Sequence, residues 1–348
     1  MAPTAEPVHT PTALEAFLRK RIQGAADVKV SACAPLTGGY SRVMTRFEAA
    51  VDGQPHLLVA RGDPPPERMY IDTDRAIEYE VLGALEEYAP GTAPKVWGFD
   101  ADGSELGTKT IVMDLIGGGD SLLSGLRQAA GGPQRHHVEA YCDLAARLHA
   151  VPLDTLPARL PRPTDWDSYI DSLIADWRDV EAEHNESDPF FRYLATWLDT
   201  HRPPPAPLTL VHGELQPSNI VVGMQGELVA VDWELAHVGD PREDFGWCKF
   251  VGSVQPPDLL GVDEAKFCEL YCERTGLGSD VVNPLTIAYF SIMSSIRMFR
   301  SVLEAQRALV DGTNLSLRPA YTTLAVITAH EQWYQATKGI EAAMGSVV

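Results

Sequence analysis

Three consecutive glycines, Gly117-Gly118-Gly119, separate two parts of the sequence with different hydrophobic patterns. Residues 28–59 and 96–115 contain short, partly alternating apolar runs, which are typical of strands. Between them, residues 74–87 place apolar side chains at helical spacing. Beyond the glycines the pattern is mainly helical, so the sequence predicts an α+β protein with a lobe boundary at the glycine run.

The individual elements follow from the same patterns. The predicted strands are Val28–Ala34, Val43–Ala50, His56–Ala60, Val96–Phe99, Thr108–Leu115, Leu208–Val211, Ile220–Val222 and Leu228–Val231. The predicted helices cover residues 14–22 and 74–87, and about 133–150, 166–184, 188–201, 262–275, 281–310 and 316–340.

The composition limits the possible partners. The 348 residues include 48 acidic and 28 basic side chains, which gives a formal net charge of −20. Such an acidic surface disfavours binding to nucleic acid or anionic lipid, and it suits a cationic small molecule or simply high solubility. No apolar run reaches the roughly 18 residues of a membrane span. We therefore expect neither a nucleic-acid nor a membrane partner, and the sequence does not specify an oligomeric state.

Cysteine usage and the first residues indicate the compartment. The five cysteines are odd in number and form no C-x-x-C pair, which argues against a disulfide framework. Residues 1–12 lack the basic-then-apolar order of a signal peptide. Together these features predict a cytoplasmic protein.

The segment from Val211 to Asp232 carries the chemistry. His212 is followed at +2 by Glu214 and at +7 by Asn219, and Asp232 lies 13 residues further on, at the end of an apolar strand. Protein kinases have the same spacing of His, acid, Asn and later Asp. In that arrangement Asn219 and Asp232 bind Mg²⁺, Glu214 faces the substrate hydroxyl and His212 braces the loop. The alternative is a polar surface loop with Asp232 capping a turn.

Three segments strengthen this interpretation: 212–220 (HGELQPSNI), 231–234 (VDWE) and 239–246 (GDPREDFG). They resemble the aminoglycoside phosphotransferase family, particularly the kinase-like domains fused to some acyl-CoA dehydrogenases. The resemblance covers about residues 30–250. It extends to the segments 36–41, 58–61, 78–82, 112–114 and 144–149.

The resemblance implies a bilobal, protein-kinase-like fold with an N-terminal nucleotide-binding lobe at 1–115. A helical lobe would follow at 116–348 and contain the catalytic loop 211–234. ATP, with GTP not excluded, and Mg²⁺ would be the cofactors. The residues implied to bind nucleotide are Gly38, Gly39 and Ser41 in the phosphate loop, Arg61 paired with Glu78, and Met113 and Leu115 beside the adenine.

Simpler interpretations of these residues stay open. Gly38-Gly39 would also suit a hairpin turn, and Arg61 and Glu78 would be ordinary surface residues. Asp240 and Asp244 are predicted to be structural, as caps of helix N–H groups and braces of the loop.

Glu214 departs from the family pattern, which usually has Asp there. Because Glu is one methylene longer, three hypotheses follow: a kinase with a roomier pocket, a nucleotide-binding regulatory pseudokinase, or a helical scaffold without nucleotide. For a kinase, a small hydroxylated metabolite is favoured over an aminoglycoside. That preference rests on the fused relatives and on apolar residues between 245 and 345, which could instead be core: Tyr289, Phe290, Met293, Met298 and Trp333.

Overall fold

The computed structural model describes residues 9–36, 42–64, 73–117, 120–129, 131–184, 189–312 and 317–345. The predicted phosphate-loop residues Gly38, Gly39 and Ser41 lie outside these ranges. The chain forms two compact units. Unit 1 takes in Met1–Ser121, Asp154–Leu160 and Val221–Ala236, and unit 2 takes in Leu122–Leu153, Pro161–Ile220 and His237–Val348. Since each unit gathers separate stretches of chain, the lobes 1–115 and 116–348 stay a prediction.

Unit 1 contains a five-stranded antiparallel sheet with the order β1-β2-β3-β5-β4. The turn at Asp52-Gly53 joins β2 to β3 through two residues with positive φ, 48° and 81°. Such a turn matches the twist of the flanking strands. The strands are β1 (Val28–Pro35), β2 (Val43–Val51), β3 (Gln54–Gly62), β4 (Val96–Asp100) and β5 (Thr110–Asp114).

Two helices accompany this sheet. The first, α1 (Pro11–Arg21), buries Leu14, Phe17 and Leu18 in a core shared with the strands. The second, α2 (Arg75–Tyr88), begins at Asp74, whose side chain accepts a hydrogen bond from Ala76 N at 2.9 Å. The apolar face predicted for this segment is buried, and Glu78 in the first turn is buried with it.

Unit 2 is mainly helical, and its core is rich in aromatic side chains; the rings of Trp177 and Trp333, for example, lie 5.2 Å apart. Its described helices are α3 (Leu122–Gln128), α4 (Arg135–His149), α5 (Trp166–His184), α6 (Pro189–Thr200), α7 (Arg242–Val254), α8 (Glu264–Thr275), α9 (Pro284–Met293), α10 (Ile296–Val310) and α11 (Leu317–Gly345).

The short strands of residues 209–239 are β6 (Thr209–Val211), β7 (Ile220–Val222), β8 (Leu228–Ala230) and β9 (His237–Gly239). β6 pairs with β9, and β7 pairs with β8.

One predicted helix is wrong. Residues 281–310 form two helices, α9 and α10, which are separated at Ser294-Ser295. The Ser294 hydroxyl donates to Phe290 O and the Ser295 hydroxyl to Ile292 O, both at 2.6 Å. Serine hydroxyls that hydrogen-bond nearby carbonyls offer the backbone an alternative to regular helix. The α+β class itself is confirmed.

Candidate functional site

Arg61 lies near the end of β3, the central strand of the sheet in unit 1, and its backbone is paired with Met44 and Ile111. Its side chain is buried. A buried guanidinium requires carboxylate partners, because transferring an unpaired charge out of water is costly. Arg61 Nη1 donates to Glu78 Oε1 at 2.5 Å, so the predicted ion pair with α2 is present.

Two carboxylates that follow β8 also contact Arg61. Its Nη2 atom donates to Asp232 and lies 3.3 Å from Glu234 Oε2. The Asp232 side chain is 31% exposed, whereas that of Glu234 is 6% exposed. Asp232 also has a positive φ of 72°, a conformation that costs a non-glycine residue free energy and occurs often at functional sites. Of these two acids, Asp232 is therefore the one available to an incoming ligand.

The electrostatics of this cluster favour the charged forms of Arg61 and Glu234. Burial opposes the charge on Arg61, but Glu78, Asp232 and Glu234 outweigh it, so the pKa of Arg61 lies above its usual range. For Glu234, burial likewise opposes the charge, but Arg61 and Arg42 outweigh it and hold the pKa below its ordinary value.

Sequence reasoning missed two further buried arginines, Arg42 and Arg75. Arg75 Nη1 donates to Glu78, and its Nη2 donates to Arg61 O at 2.7 Å. Arg42 Nε donates to Glu234 Oε2 at 2.8 Å. No sequence pattern indicates the contact between Arg42 and Glu234, because they are 192 positions apart. The contact between Arg75 and Glu78 has the i,i+3 spacing of neighbours on a helix, and this spacing could have indicated it.

The strand predicted to face adenine is β5. Met113 is buried and lies opposite Val59 of β3. The next two amides are engaged within unit 1, since Asp114 N donates to Lys95 O and Leu115 N to Leu57 O, both at 2.9 Å. The adenine role of Met113 and Leu115 stays a prediction, and the Leu115 N–H could serve it only by giving up its present acceptor.

Unit 2 contains the predicted catalytic loop, which follows β6. His212 is buried, and its Nδ1 atom accepts a hydrogen bond from Glu214 N at 3.2 Å. The His212 ring therefore fixes the loop backbone at Glu214, the residue predicted to accept the proton. This contact suits the bracing role predicted for His212, and that role stays a prediction.

Asn219 ends a short 3₁₀ turn, Pro217–Asn219, in the same loop. Its Nδ2 atom donates to Glu214 O at 3.1 Å. The amide nitrogen is thus used within the loop, and the side-chain oxygen is the atom suited to a hard cation such as Mg²⁺. The Glu214 residue is half-buried.

Asp244 holds this loop from the first turn of α7. Its two carboxylate oxygens accept hydrogen bonds from His212 N at 3.0 Å and Gly213 N at 2.9 Å. His149 Nε2 lies 3.1 Å from Asp244 Oδ2, and Asp244 is completely buried. These contacts give Asp244 the structural role expected from its position.

Asp240 has a comparable role at the start of α7. It accepts hydrogen bonds from Arg242 N at 2.9 Å and Arg242 Nη2 at 2.6 Å, and both side chains are completely buried. A third buried acid, Glu243, contacts the hydroxyl of Tyr169 and lies 3.0 Å from His237 Nε2. Sequence reasoning missed this last set, because Tyr169 is 74 positions from Glu243.

Four of the five apolar residues considered for a substrate pocket in unit 2 are core residues, and the side chain of the fifth, Met298, lies outside the described part of the chain. Tyr289, Phe290, Met293 and Trp333 are all buried in the main aromatic core. A separate cleft of about 390 Å³ lies between α7, α9 and α11. Its lining is mixed and includes Lys249, Asp258, Ser291, Gln332, Gln335 and Ile340. The four buried side chains therefore carry no information about the substrate.

None of the helices in the described ranges combines the length and the apolar character needed to cross a membrane.

Comparison with known proteins identifies the family. The model of the phosphotransferase enzyme family APH matches residues 33–273, which is more than half of the chain. This chain belongs to that family. The predicted enzyme class, a phosphotransferase that acts on hydroxyl groups, is thereby confirmed at the level of the family.

A relative by sequence is acyl-CoA dehydrogenase family member 10 of Mus musculus, which is 29% identical over 178 residues. The match covers 49% of this chain and 16% of that protein, so the chain spans a small part of this relative's length. The predicted resemblance to kinase-like domains of acyl-CoA dehydrogenases is confirmed.

Solved structures show the fold. A protein from Ralstonia eutropha JMP134, provisionally described as an aminoglycoside phosphotransferase, has a TM-score of 0.67 and 22% identity, covering 97% of this chain and 99% of that one. The GDP complex of wild-type aminoglycoside 2'-phosphotransferase-IIIa has a TM-score of 0.59 and 15% identity, covering 94% and 99%. The predicted kinase-like α+β fold is confirmed by these similarities.

Proposed function

We propose that this protein is an ATP- and Mg²⁺-dependent phosphotransferase whose acceptor is a hydroxyl group of a small molecule. The observation that carries the proposal lies in unit 1. A single buried guanidinium, that of Arg61, contacts both the helix carboxylate Glu78 and the partly exposed carboxylate Asp232. In kinases, a cation at the sequence position of Arg61 and an acid at that of Asp232 hold the nucleotide phosphates and Mg²⁺.

The available ligands fit Mg²⁺. Asp232 offers a carboxylate, which is a hard donor of the kind Mg²⁺ prefers. Asn219, the other ligand that the sequence predicted, offers a side-chain oxygen of the same kind. When bound, the cation would neutralise charge on the phosphates. The guanidinium of Arg61 would grip phosphate oxygens through its planar fork. GTP stays possible beside ATP, because one structural neighbour is a GDP complex.

Glu214 is proposed to accept the proton of the attacking hydroxyl. Its backbone is fixed on both sides, since its N–H donates to His212 and its carbonyl accepts from Asn219. The side chain is half-buried and can therefore meet a substrate. With its backbone held in place, the extra methylene of Glu214 must be accommodated by the substrate position rather than by the loop.

A small hydroxylated metabolite is the favoured acceptor. The support is the 29% identity over 178 residues with acyl-CoA dehydrogenase family member 10. An aminoglycoside is the competing acceptor, and the net charge of −20 is compatible with such a cation.

The second candidate is a nucleotide-binding regulatory protein with little transfer activity. The observation in its favour is Glu214 itself, in the position where the family usually has Asp. This candidate shares the nucleotide site, so it differs from the first only in turnover.

Nucleotide consumption over a panel of hydroxyl compounds tests the proposal. The panel should include small hydroxy acids, amino alcohols, sugars and aminoglycosides, each with ATP or GTP and with or without Mg²⁺. We expect Mg²⁺-dependent turnover with at least one small metabolite and its loss in Asp232→Ala. The exposed variant Asp179→Ala on α5 serves as the control. Binding of Mg-ATP without turnover on any compound would favour the regulatory candidate, and no binding would contradict both.

A further inference from the structure

Six largely buried side chains in unit 1, including that of Arg61, alternate in charge and form a closed ring. Each contacts the next, and none is more than 16% exposed. In order around the ring they are Arg61, Glu234, Arg42, Asp63, Arg75 and Glu78.

The contacts made by Arg42 use three different nitrogen atoms. Its Nε donates to Glu234 Oε2 at 2.8 Å, its Nη1 donates to Asp63 Oδ1 at 2.9 Å, and its Nη2 donates to the Thr73 hydroxyl. These partners lie on three separate stretches of chain. A planar guanidinium can serve all three at once, whereas a lysine ammonium on a flexible stem is a point charge.

The other side of the ring is formed by Arg75. It contacts Glu78 through Nη1, and its Nε lies 3.5 Å from Asp63 Oδ1, an ion-pair distance rather than a hydrogen bond. Glu78 is therefore shared between two guanidinium groups, those of Arg61 and Arg75. The ring fixes the side chain of Arg61 from both directions.

The charges of the ring balance without Asp232. Three arginines face three carboxylates, and Asp232 is a seventh group that contacts Arg61 and is 31% exposed. A change of partner at Asp232 thus leaves the charge of the six ring members compensated. If Arg61 turned instead to a phosphate and Asp232 to a cation, the ring would keep Arg61 in place.

We propose that Arg42 and Glu234 are positioning residues, which hold Arg61 through this ring so that Arg61 can exchange its contact with Asp232 for a nucleotide phosphate. This inference rests on the proposed function. Neither residue is assigned a contact with substrate or nucleotide. Their effect is indirect, because Glu234 contacts both Arg42 and Arg61 and transmits the position of one guanidinium to the other.

The test removes both charges together. Deleting one member of a buried ion pair leaves an uncompensated charge, whereas replacing both by neutral groups of similar shape is often tolerated. The variant is therefore Arg42→Gln with Glu234→Gln. The matched control makes the same two changes in an exposed pair on α4, Arg135→Gln with Glu139→Gln, whose side chains are 60% and 43% exposed.

Three quantities are measured on the full chain: Kd for Mg-ATP, kcat, and KM for the hydroxyl acceptor found in the panel. We expect the double variant to bind Mg-ATP and turn over about 10- to 100-fold less well, the size of effect seen for outer-shell residues. The KM for the acceptor should stay within about threefold, and the control variant should match the wild type in all three. A partial loss of structure would instead lower only the apparent kcat, because it reduces the active fraction and leaves the Kd for Mg-ATP and the acceptor KM unchanged.

The outcomes separate this inference from the proposed function. If the wild type turned over and the double variant had the same Kd and kcat as the wild type, the positioning role would be overturned and the function would stand. Wild-type binding without turnover, with weaker binding in the double variant, would support the ring and count against transfer. Absence of Mg-ATP binding by the wild type would overturn both.

A conservative variant covers the case in which the double variant does not fold. Arg42→Lys keeps the positive charge but cannot donate to Glu234, Asp63 and Thr73 together. We expect it to fold and to lose about fivefold or more in kcat or nucleotide affinity, with the acceptor KM unchanged. Wild-type values of all three quantities in Arg42→Lys would contradict the inference.

Discussion

The two units use buried carboxylates in different ways. In unit 2, Asp244 is completely enclosed and accepts hydrogen bonds from two backbone amides, so it fixes a loop in one conformation. In unit 1 the acids contact arginine side chains from other stretches of chain, and one of them, Asp232, reaches solvent. The difference teaches that exposure, rather than sequence motif, distinguishes acids that support the fold from acids that can meet a ligand.

The largest effect on stability is expected from removing the enclosed carboxylate, that of Asp244. Asp244→Ala leaves the amides of His212 and Gly213 without their acceptor in a buried site, which we expect to cost about 3–5 kcal/mol of stability. Urea denaturation measures the loss, with the exposed Asp179→Ala as the control. A loss below about 1 kcal/mol would mean that the comparison between the units is wrong.

Removing the charge of the partly exposed carboxylate, that of Asp232, should change turnover strongly and stability little. Asp232→Asn removes one of several partners of Arg61, so stability should change by less than about 1 kcal/mol. Turnover should fall about a thousandfold, because a carboxylate ligand of the metal is lost. Steady-state kinetics and urea denaturation of the same sample check both halves. A large loss of stability with normal turnover would reverse the two roles.

Glu214 lies in the loop that Asp244 supports, and its substitution should affect turnover rather than stability. Glu214→Gln keeps the shape but removes the base, and we expect kcat to fall about a hundredfold with little change in stability. Glu214→Asp shortens the side chain and restores the usual family residue. Its kcat, measured on the same acceptor, shows whether the loop or the substrate accommodates the longer side chain. Unchanged turnover in Glu214→Gln would remove it from the mechanism.

The smallest effect is expected at an ion pair near the surface of unit 1. Hydrogen bonds from Arg21 and Lys20 lower the pKa of Glu105 to about 2 from its ordinary value of 4.5. Because the folded-state pKa is the lower one, this stabilisation is present above about pH 4.5 and is lost as the pH falls towards 2. Glu105→Gln should therefore cost less than about 1 kcal/mol at pH 7.

The pH series provides the check on Glu105. Unfolding free energies of the wild type and Glu105→Gln should converge as the pH falls from 4.5 towards 2. A difference that stays constant over this range would show that the two hydrogen bonds do not depend on the charge of Glu105.

The sequence predicted those features that depend on order and short spacing. The strands, most helices, the pair Arg61–Glu78 and the bracing position of His212 all follow from local pattern plus the known order of kinase elements. It also predicted structural roles for Asp240 and Asp244 from their place at the start of α7. Asp240 accepts a hydrogen bond from a helix amide there, whereas Asp244 braces the loop of His212 and Gly213.

The main features that the sequence did not predict depend on contacts between residues far apart in the chain. The Arg42–Glu234 pair joins residues 192 positions apart, and single-sequence patterns carry no signal over that distance. The contacts of Glu243 with His237 and Tyr169 were missed likewise. The break at Ser294-Ser295 was missed because apolar periodicity continues across it, while the hydroxyl contacts that accompany it are visible only in the structure.

The most direct test measures how Mg-ATP changes thermal stability in the wild type and in Asp232→Asn. A ligand that binds only the folded state raises the unfolding temperature, because it stabilises that state by RT ln(1 + L/Kd), where L is the free ligand concentration. The account predicts a clear rise for the wild type that requires both ATP and Mg²⁺, and little or no rise for Asp232→Asn. An equal rise in both proteins, or none in the wild type, would contradict the assignment of Asp232 as the carboxylate that meets the metal-bound nucleotide.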